Sequence, residues 1–150
     1  MTQQAELSAA LEAIGLDVKS LLALQDKAGV FYIWCEENGA VATNAYEWSY
    51  GNGAVGNDIG VVIMRDALLT EMAFNADTYG GGSTVQIHAR RAQTPGAGSI
   101  VQSHTFTSNN EVFTLPTPRL FARGDVLVVQ TGTLVGTITD ARPCFRFQEV

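Results

Sequence analysis

The side chains best suited to chemistry are two histidines that could pair with a carboxylate. His88 and His104 fall on predicted strands without an HxxxH or HxH spacing, so a zinc site built from them would need ligands from distant loops. Either histidine could act as a general base beside Asp77 or Glu111. The sequence has no Gly-x-Ser-x-Gly elbow and no phosphate-binding loop to complete such a site. The pattern favours histidines that lie on strands and are hydrogen-bonded there. We therefore expect that the protein is not an enzyme and has neither a metal site nor a cofactor.

A glycine-rich segment, residues 51–58, is the next place where a ligand could bind. It lacks the GxGxxG spacing and the following helix of a dinucleotide site, which favours a tight turn. Asparagine and aspartate oxygens in and after this segment suit calcium, but they lack the spacing of a known calcium loop. A bound cation therefore stays an alternative. The loop residues predicted to face a ligand, if these loops bind one, are Asn52, Asn57, Asp58, Asp77 and Tyr79.

Aromatic and acidic side chains raise two further hypotheses, sugar binding and sugar cleavage. Exposed rings can stack on sugars, and the candidate rings are Trp34, Tyr46, Trp48, Tyr50 and Tyr79. Most of them alternate along predicted strands, which favours packing in a core or in an interface. A glycan-cleaving enzyme needs two carboxylates about 5 to 9 Å apart across a groove, and nothing in the spacing of the acidic residues pairs two of them.

Two short patterns have a simpler structural interpretation. Cys35 and Cys144 have no Cys-x-x-Cys spacing and no histidine-rich surroundings, which favours buried thiols over a disulfide or a metal pair. Residues 123–125 spell the integrin-type tripeptide Arg-Gly-Asp, but an apolar strand is predicted to begin directly after them. Because Gly-Asp is a common turn sequence, we expect a turn there and not an adhesion motif.

The composition is that of an acidic globular protein. The chain has 150 residues, a formal net charge of −6, 46% hydrophobic residues and 16% charged residues. A chain of this length holds one well-buried domain with appendages. The basic residues are scattered, which argues against nucleic acid as the main partner. No run approaches the roughly 18 to 20 apolar residues of a membrane-spanning helix, so we expect neither membrane insertion nor a secretory signal.

Residues 4–28 have the pattern of an amphipathic helix. Their apolar positions step by four and three residues, which is a heptad seam. The seam residues are Leu7, Leu11, Ile14, Val18 and Leu21, followed by the polar Gln25. Isoleucine at the central position is compatible with more than two strands, and Gly29 offers a helix stop. We predict a coiled-coil stem over residues 1–29 that gathers three copies, with a helix packed on its own domain as the alternative.

From Val30 onward the sequence predicts an all-β domain, residues 30–150. The predicted strands are Phe31–Glu36, Ala45–Tyr50, Gly60–Met64, Leu68–Asn75, Thr84–Arg90, Gln102–Thr107, Glu111–Leu115, Val126–Thr131 and Cys144–Gln148. Short strands at this density indicate an antiparallel β-sandwich with a jelly-roll-like arrangement. The glycine-containing runs 80–83 and 94–98 are predicted hairpin tips. Pro116 and Pro118 exclude the segment before Leu120 from the centre of a sheet.

Three motifs of this domain resemble those of tailed-bacteriophage virion surface proteins. They are Glu-Trp-Ser-Tyr-Gly-Asn-Gly at residues 47–53, Met-Ala-Phe-Asn-Ala at residues 72–76, and the turn with Ala122, Gly124 and Asp125. The similarity covers most of residues 44–131. It implies a trimeric fibre, head-fibre or decoration domain whose N-terminal helix is a stalk or an attachment, and it brings no catalytic residues. Long tail fibres have extended stalks, whereas here only about 25 residues precede the domain.

These expectations combine into one predicted function. We expect a non-enzymatic bacteriophage virion structural protein, a homotrimeric surface fibre or decoration component attached to a capsid or tail protein through its N-terminal helix. The alternative is the tip module of a short tail fibre that binds host polysaccharide. Either role predicts that the protein is assembled in the host cytoplasm and ends in the virion.

Overall fold

A computed structural model describes residues 29–46, 48–50, 60–92 and 98–150, and Phe31–Val150 is a compact unit. Its secondary structure consists of β-strands. They are β1 (Val30–Trp34), β2 (Glu37–Ala40), β3 (Val61–Val62), β4 (Ala67–Tyr79), β5 (Thr84–Ala92), β6 (Ser99–Phe106), β7 (Glu111–Phe121), β8 (Val126–Val135) and β9 (Ile138–Glu149). The predicted coiled-coil stem lies outside the described residues, so its structure stays a prediction.

The strands form two antiparallel sheets. The five-stranded sheet has the order β1-β9-β4-β7, with β2 also paired to β9, and the four-stranded sheet has the order β3-β8-β5-β6. The connections after β4, β6, β7 and β8 all pass from one sheet to the other. Because most connections change sheet, the strands of the two sheets must pack against each other as a sandwich. The predicted all-β sandwich is confirmed at this level.

The core lies between the two sheets and follows the alternation of the strands. On β4 and β9 the inward side chains include Met72, Phe74, Phe145 and Phe147, which are almost completely buried. The inward side chains of β5 and β8 belong to the same hydrophobic cluster. Phenylalanine rings from the two sheets meet directly in this core, as where Phe74 of β4 stacks on Phe106 of β6 at 5.3 Å between ring centroids. Since buried aromatic rings carry much of the apolar area, these contacts fix the two sheets together.

Every predicted strand except Ala45–Tyr50 overlaps an observed strand. Within that segment the described residues form only one isolated bridge, between Ser49 and Glu36. The segment instead covers an edge of β8 that the two-residue strand β3 leaves open. There the amide of Thr131 donates to the Ala45 carbonyl at 2.9 Å, and the amide of Val129 donates to the Tyr50 hydroxyl at 2.9 Å. The aromatic alternation that predicted a strand therefore serves to fill a sheet edge.

Strand β2 was not predicted, because its sequence Glu-Asn-Gly-Ala has the composition of a turn. It pairs with β9 through an irregular register between Glu37 and Ala40. Gly39 has a positive φ of 119°, and its amide donates to the side chain of Asp140 at 2.9 Å. Tertiary pairing with a long central strand thus overrides a weak local preference.

One of the two predicted hairpins is confirmed and the other is wrong. Strands β5 and β6 pair with each other, as expected for a hairpin around residues 94–98, of which 94–97 lie outside the described residues. The run 80–83 instead carries the chain from β4 in one sheet to β5 in the other. It is held to the β8–β9 connection, because the amide of Gly80 donates to the Thr137 carbonyl at 3.0 Å. A glycine-rich run permits a tight turn but does not determine which sheet the next strand joins.

The prolines of β7 lie where their missing amide hydrogens are tolerated. Pro116 and Pro118 are within the strand, so the chain continues as a strand beyond Leu115. Strand β7 is nevertheless at the edge of its sheet, which confirms that this segment is excluded from a sheet centre. Near the prolines the register with β4 shifts between Leu69 and Glu71.

Candidate functional site

The sequence-predicted site residues fall into two groups. The seam residues Leu7, Leu11, Ile14, Val18 and Leu21, and the loop residues Asn52, Asn57 and Asp58, lie outside the described residues. The remaining two, Asp77 and Tyr79, lie near the end of β4. Both are engaged with other parts of the domain.

Asp77 is an exposed carboxylate that is paired with β9. It accepts two hydrogen bonds from the guanidinium of Arg142, at 2.9 and 3.3 Å. The hydrogen bonds and the positive charge of Arg142 hold the pKa of Asp77 below its ordinary value. This bidentate geometry occupies the carboxylate oxygens that a cation would require.

Tyr79 is anchored to the opposite sheet. Its hydroxyl donates to the Phe106 carbonyl at 3.0 Å, and its ring packs edge-on against Phe74. Burial raises the pKa of this phenol, and the negative charge of Glu111 raises it further. The ring therefore joins the core at the edge of the sandwich.

His104 and Glu111, one of the acid–base pairings considered from the sequence, are brought together. His104 Nε2 lies 2.9 Å from Glu111 Oε1, and the imidazole stacks on Phe113 with 3.9 Å between ring centroids. The other Glu111 oxygen accepts from the amides of Thr107 and Ser108. Burial raises the pKa of Glu111, but these hydrogen bonds outweigh burial and hold the pKa below its ordinary value. The hydroxyls of Thr107 and Ser108 also donate to Glu111 Oε2, at 3.4 and 3.3 Å. The His104–Glu111 pair therefore connects β6 of one sheet to β7 of the other.

His88 lies apart from this pair, on the outer face of the four-stranded sheet. Its Nδ1 is 2.6 Å from the hydroxyl of Ser103. Burial lowers the pKa of His88, and the positive charge of Arg90 lowers it further. Among the described residues no three histidine, cysteine or acidic side chains converge in a way that would hold a metal ion.

The cysteines and the Arg-Gly-Asp tripeptide have structural surroundings. Both cysteines are free thiols; Cys35 is fully buried and Cys144 is half-buried. Burial raises the pKa of each thiol, which keeps it in the less reactive protonated form. In the tripeptide, Asp125 is buried and accepts from the Ala122 amide at 2.8 Å, while Gly124 has a φ of 92°. The predicted turn is confirmed.

One of the aromatic candidates is largely exposed, and the others are buried or contact other parts of the domain. Trp48 is fully buried, the Tyr50 hydroxyl accepts from β8, and the Tyr46 ring lies under the guanidinium of Arg90. Trp34 alone among these candidates is largely exposed, with 55% of its surface accessible. Sequence reasoning missed Tyr32, which is 60% exposed two residues earlier on the same strand. The alternation Phe31, Tyr32, Ile33, Trp34 in an edge strand is the signal that could have identified it.

The exposed rings begin a line of apolar side chains across the outer face of the five-stranded sheet. The Cys35 amide donates to the Pro143 carbonyl, so Trp34 and Cys144 are neighbours on adjacent strands. Cys144 is opposite Ala73 on β4, and Ala73 is opposite Val112 on β7, which is 64% exposed. We call this set the apolar row, and it consists of Tyr32, Trp34, Cys144, Ala73 and Val112.

A hollow of about 230 Å³ lies at the β4–β7 end of the apolar row. Ala73, Cys144 and Val112 contribute apolar surface to it, and Asn75 and Arg142 contribute polar groups. The small side chains of Ala73 and Cys144 leave this space open between taller neighbours. The hollow begins at Cys144, the neighbour of Trp34, and extends to Val112, so the aromatic side chains and the hollow lie side by side on one sheet face.

Two ion pairs lie on this face. Arg142 binds Asp77, and Arg146 lies 3.8 Å from Glu71 on the neighbouring strand. Each pair is neutral as a whole. The face therefore combines an apolar row with internally neutralised charge, which is the character of a protein-contact surface.

Comparison with known proteins gives no family assignment. No family model matches the chain, and no curated protein matches it. Within the described ranges there is no helix of the length and apolarity required to cross a membrane. The function of the chain therefore has to be inferred from the positions and contacts of its own residues.

Proposed function

We propose that this chain is a non-enzymatic bacteriophage virion structural protein, a homotrimeric surface fibre or decoration component. In this proposal the N-terminal helix is a coiled-coil stem that attaches to a capsid or tail protein. The β domain is a jelly roll that faces solvent on the particle. The observation that carries the proposal is the heptad seam from Leu7 to Leu21 directly in front of a sandwich with an exposed apolar row.

The winding of the strands supports the jelly-roll part of the proposal. A jelly roll has eight strands in two four-stranded sheets, formed by two Greek keys. Without the short strand β2, the orders β1-β9-β4-β7 and β3-β8-β5-β6 correspond to that arrangement. The jelly roll is a common architecture of viral capsid domains, which agrees with the resemblance of residues 44–131 to phage virion proteins.

The physical properties of the chain suit assembly on a particle. Three linked copies bind a symmetric socket more tightly than one copy, because the second and third contacts are intramolecular. A net charge of −6 keeps free copies soluble before they assemble. The contact of His104 with Glu111 links the two sheets, and this link between strands supports a structural role.

Labelling of phage particles tests the proposed location. Antibody raised against the full chain should bind purified virions of a phage that encodes it, as seen by immunogold electron microscopy. Replacing Ile14 and Leu21 by Asn buries unsatisfied amides in the seam, so virions made with this double variant should lose the label. Virions without label from the unaltered chain would contradict the proposal.

A further inference from the structure

Tyr32 and Trp34 are two large aromatic side chains that are exposed on the described surface. They project from the edge strand β1 on the side away from the core, since Ile33 between them is buried. Side chains two residues apart on a strand lie on one face, so the two rings form a single raised patch. Tyrosine and tryptophan are enriched in the energetically dominant centres of protein interfaces.

The same face offers a place that could receive such a ring. The hollow between Ala73, Cys144 and Val112 has a volume of about 230 Å³ and is open to solvent. It is apolar where Cys144 and Ala73 meet, and it is bordered by the exposed Val112. The raised rings on β1 and the hollow on β9, β4 and β7 are different parts of one surface, so a ring of one copy can enter the hollow of the next, and such a heterologous contact closes into a ring when the rotation is correct.

The charges of this face permit a second copy to approach it. A chain with a net charge of −6 repels its copies unless the contact surface is locally neutral. Here Arg142 neutralises Asp77, and Arg146 lies beside Glu71. Because each guanidinium already has its carboxylate, burial of the face between copies leaves no unpaired charge from these two pairs.

We infer that the outer face of the five-stranded sheet is the contact between copies, with Tyr32 and Trp34 of one copy packed on the apolar row and hollow of the next. This inference rests on the proposed homotrimer and assigns its contact surface. The isolated stem is short, and helices of this length are marginal in water without further contacts. The sheet contact supplies the additional association that such a stem requires.

The surroundings of the rings favour a protein contact over sugar stacking. A sugar site needs polar groups that converge on the ligand beside the ring. The neighbour of Trp34 on the next strand is Cys144, followed by Ala73, and neither side chain offers a strong hydrogen-bonding group. The polar side chains that line the hollow are bonded within the protein: Asn75 to Asn110, Glu111 to His104 and Arg142 to Asp77.

The solution mass of the full chain and of two variants tests the inference. Trp34→Lys should raise the trimer dissociation constant by about 30-fold, the effect of removing an interface anchor. The matched control is Met64→Lys, because Met64 is 72% exposed but does not belong to the apolar row, and it should change the constant by less than about threefold. If the two variants form trimers with the same dissociation constant, the inference about the contact surface is wrong, although the homotrimer itself would still be supported.

Tryptophan fluorescence gives a second measurement that does not depend on a disruptive variant. The chain has two tryptophans, and Trp48 is fully buried, so acrylamide quenching reports mainly on Trp34. In the full-length trimer Trp34 should be shielded, and dilution or the Ile14→Asn/Leu21→Asn variant should expose it. If acrylamide quenches Trp34 in the trimer and only added maltohexaose protects it, the inference is wrong and the rings form a sugar-binding surface. A full chain that is monomeric at every concentration would instead contradict the proposed function itself.

Discussion

The outer faces of the two sheets differ in how far their large side chains contact other parts of the protein. On the four-stranded sheet, Arg90 bonds Gln130 at 2.6 Å and lies over the Tyr46 ring at 5.8 Å. Tyr46 in turn packs on a small cluster that contains Val126 and Val128. On the five-stranded sheet, Tyr32, Trp34 and Val112 are more than half exposed. The centre of the first face is covered by Tyr46 and Arg90, although Val62, Ile100 and Val135 towards its margins are exposed. On the second face no described side chain covers Tyr32, Trp34 and Val112.

This difference indicates which face is adapted to a partner. A sheet face tends to bury its apolar side chains, and the four-stranded sheet does so at Val126 and Val128, which Tyr46 of the segment before β3 covers. The five-stranded sheet has comparable apolar side chains without an equivalent cover among the described residues. Contiguous exposed apolar surface of this kind marks sites of association. The comparison therefore predicts that substitutions on one face change folding, whereas substitutions on the other change assembly.

The largest effect on folding is expected from replacing Arg90, on the outer face of the four-stranded sheet. Arg90→Ala removes a hydrogen bond to Gln130, another to the Gly98 carbonyl and the contact with the Tyr46 ring, and should lower the free energy of unfolding by about 1 to 3 kcal/mol. Arg142→Ala, the matched change on the open face, should leave the unfolding midpoint unchanged because its ion pair is exposed to solvent. Urea unfolding in the Ile14→Asn/Leu21→Asn background separates folding from association. Equal losses for both variants would contradict the comparison.

A smaller effect is expected from added methyl groups. A Cβ at Gly132 would lie 2.4 Å from His88 Nε2 and 2.6 Å from Gln86 Oε1, so Gly132→Ala should cost about 1 kcal/mol in overpacking. Ala73→Val adds its methyl groups at the open hollow and should not change the unfolding free energy in the same background. In the unaltered stem background Ala73→Val should instead weaken the trimer, which a dilution series measured by light scattering would detect.

The smallest expected effect is a pH dependence that belongs to the covered face. The pKa of His88 is lowered in the folded protein from its ordinary value of 6.5, so the unfolded chain takes up the proton first. Stability from neutral His88 is therefore present above about pH 6.5 and is lost as the pH falls through the lowered folded pKa. His88→Gln should flatten the unfolding free energy between pH 7 and pH 5. A variant with the same acid slope as the unaltered chain would show that His88 is not the responsible group.

Strand positions were predictable because they depend on local composition. Branched and aromatic residues separated by glycine, asparagine and proline located β3 to β9, although β7 ends at Phe121 and not at Leu115, and β9 begins at Ile138 and not at Cys144. The failures occurred where long-range pairing decides the outcome. Glu37–Ala40 is a strand because β9 lies beside it, and Ala45–Tyr50 is not one because it fills the edge of β8. The sheet change at residues 80–83 likewise depends on contacts with Thr137 that no local pattern contains.

The candidate site was less predictable than the fold. A Trp or Tyr on a strand is equally compatible with the core and with the surface, and only the identity of its neighbours decides. Trp48 lies inside and Trp34 outside, although both belong to runs of aromatic residues. The apolar row joins residues of β1, β9, β4 and β7, so its existence depends on a strand order that the sequence does not specify. Residues that are far apart in the chain meet there only through topology.

The central claim is that three copies associate through the stem and the open face, and the absolute mass of the full chain in solution tests it most directly. Light scattering should give about 48 kDa, three times the 16.0 kDa chain, at micromolar concentration. The same measurement on the Ile14→Asn/Leu21→Asn variant should give a lower mass that rises with concentration. A single species of 16.0 kDa from the unaltered chain at all concentrations would contradict the account.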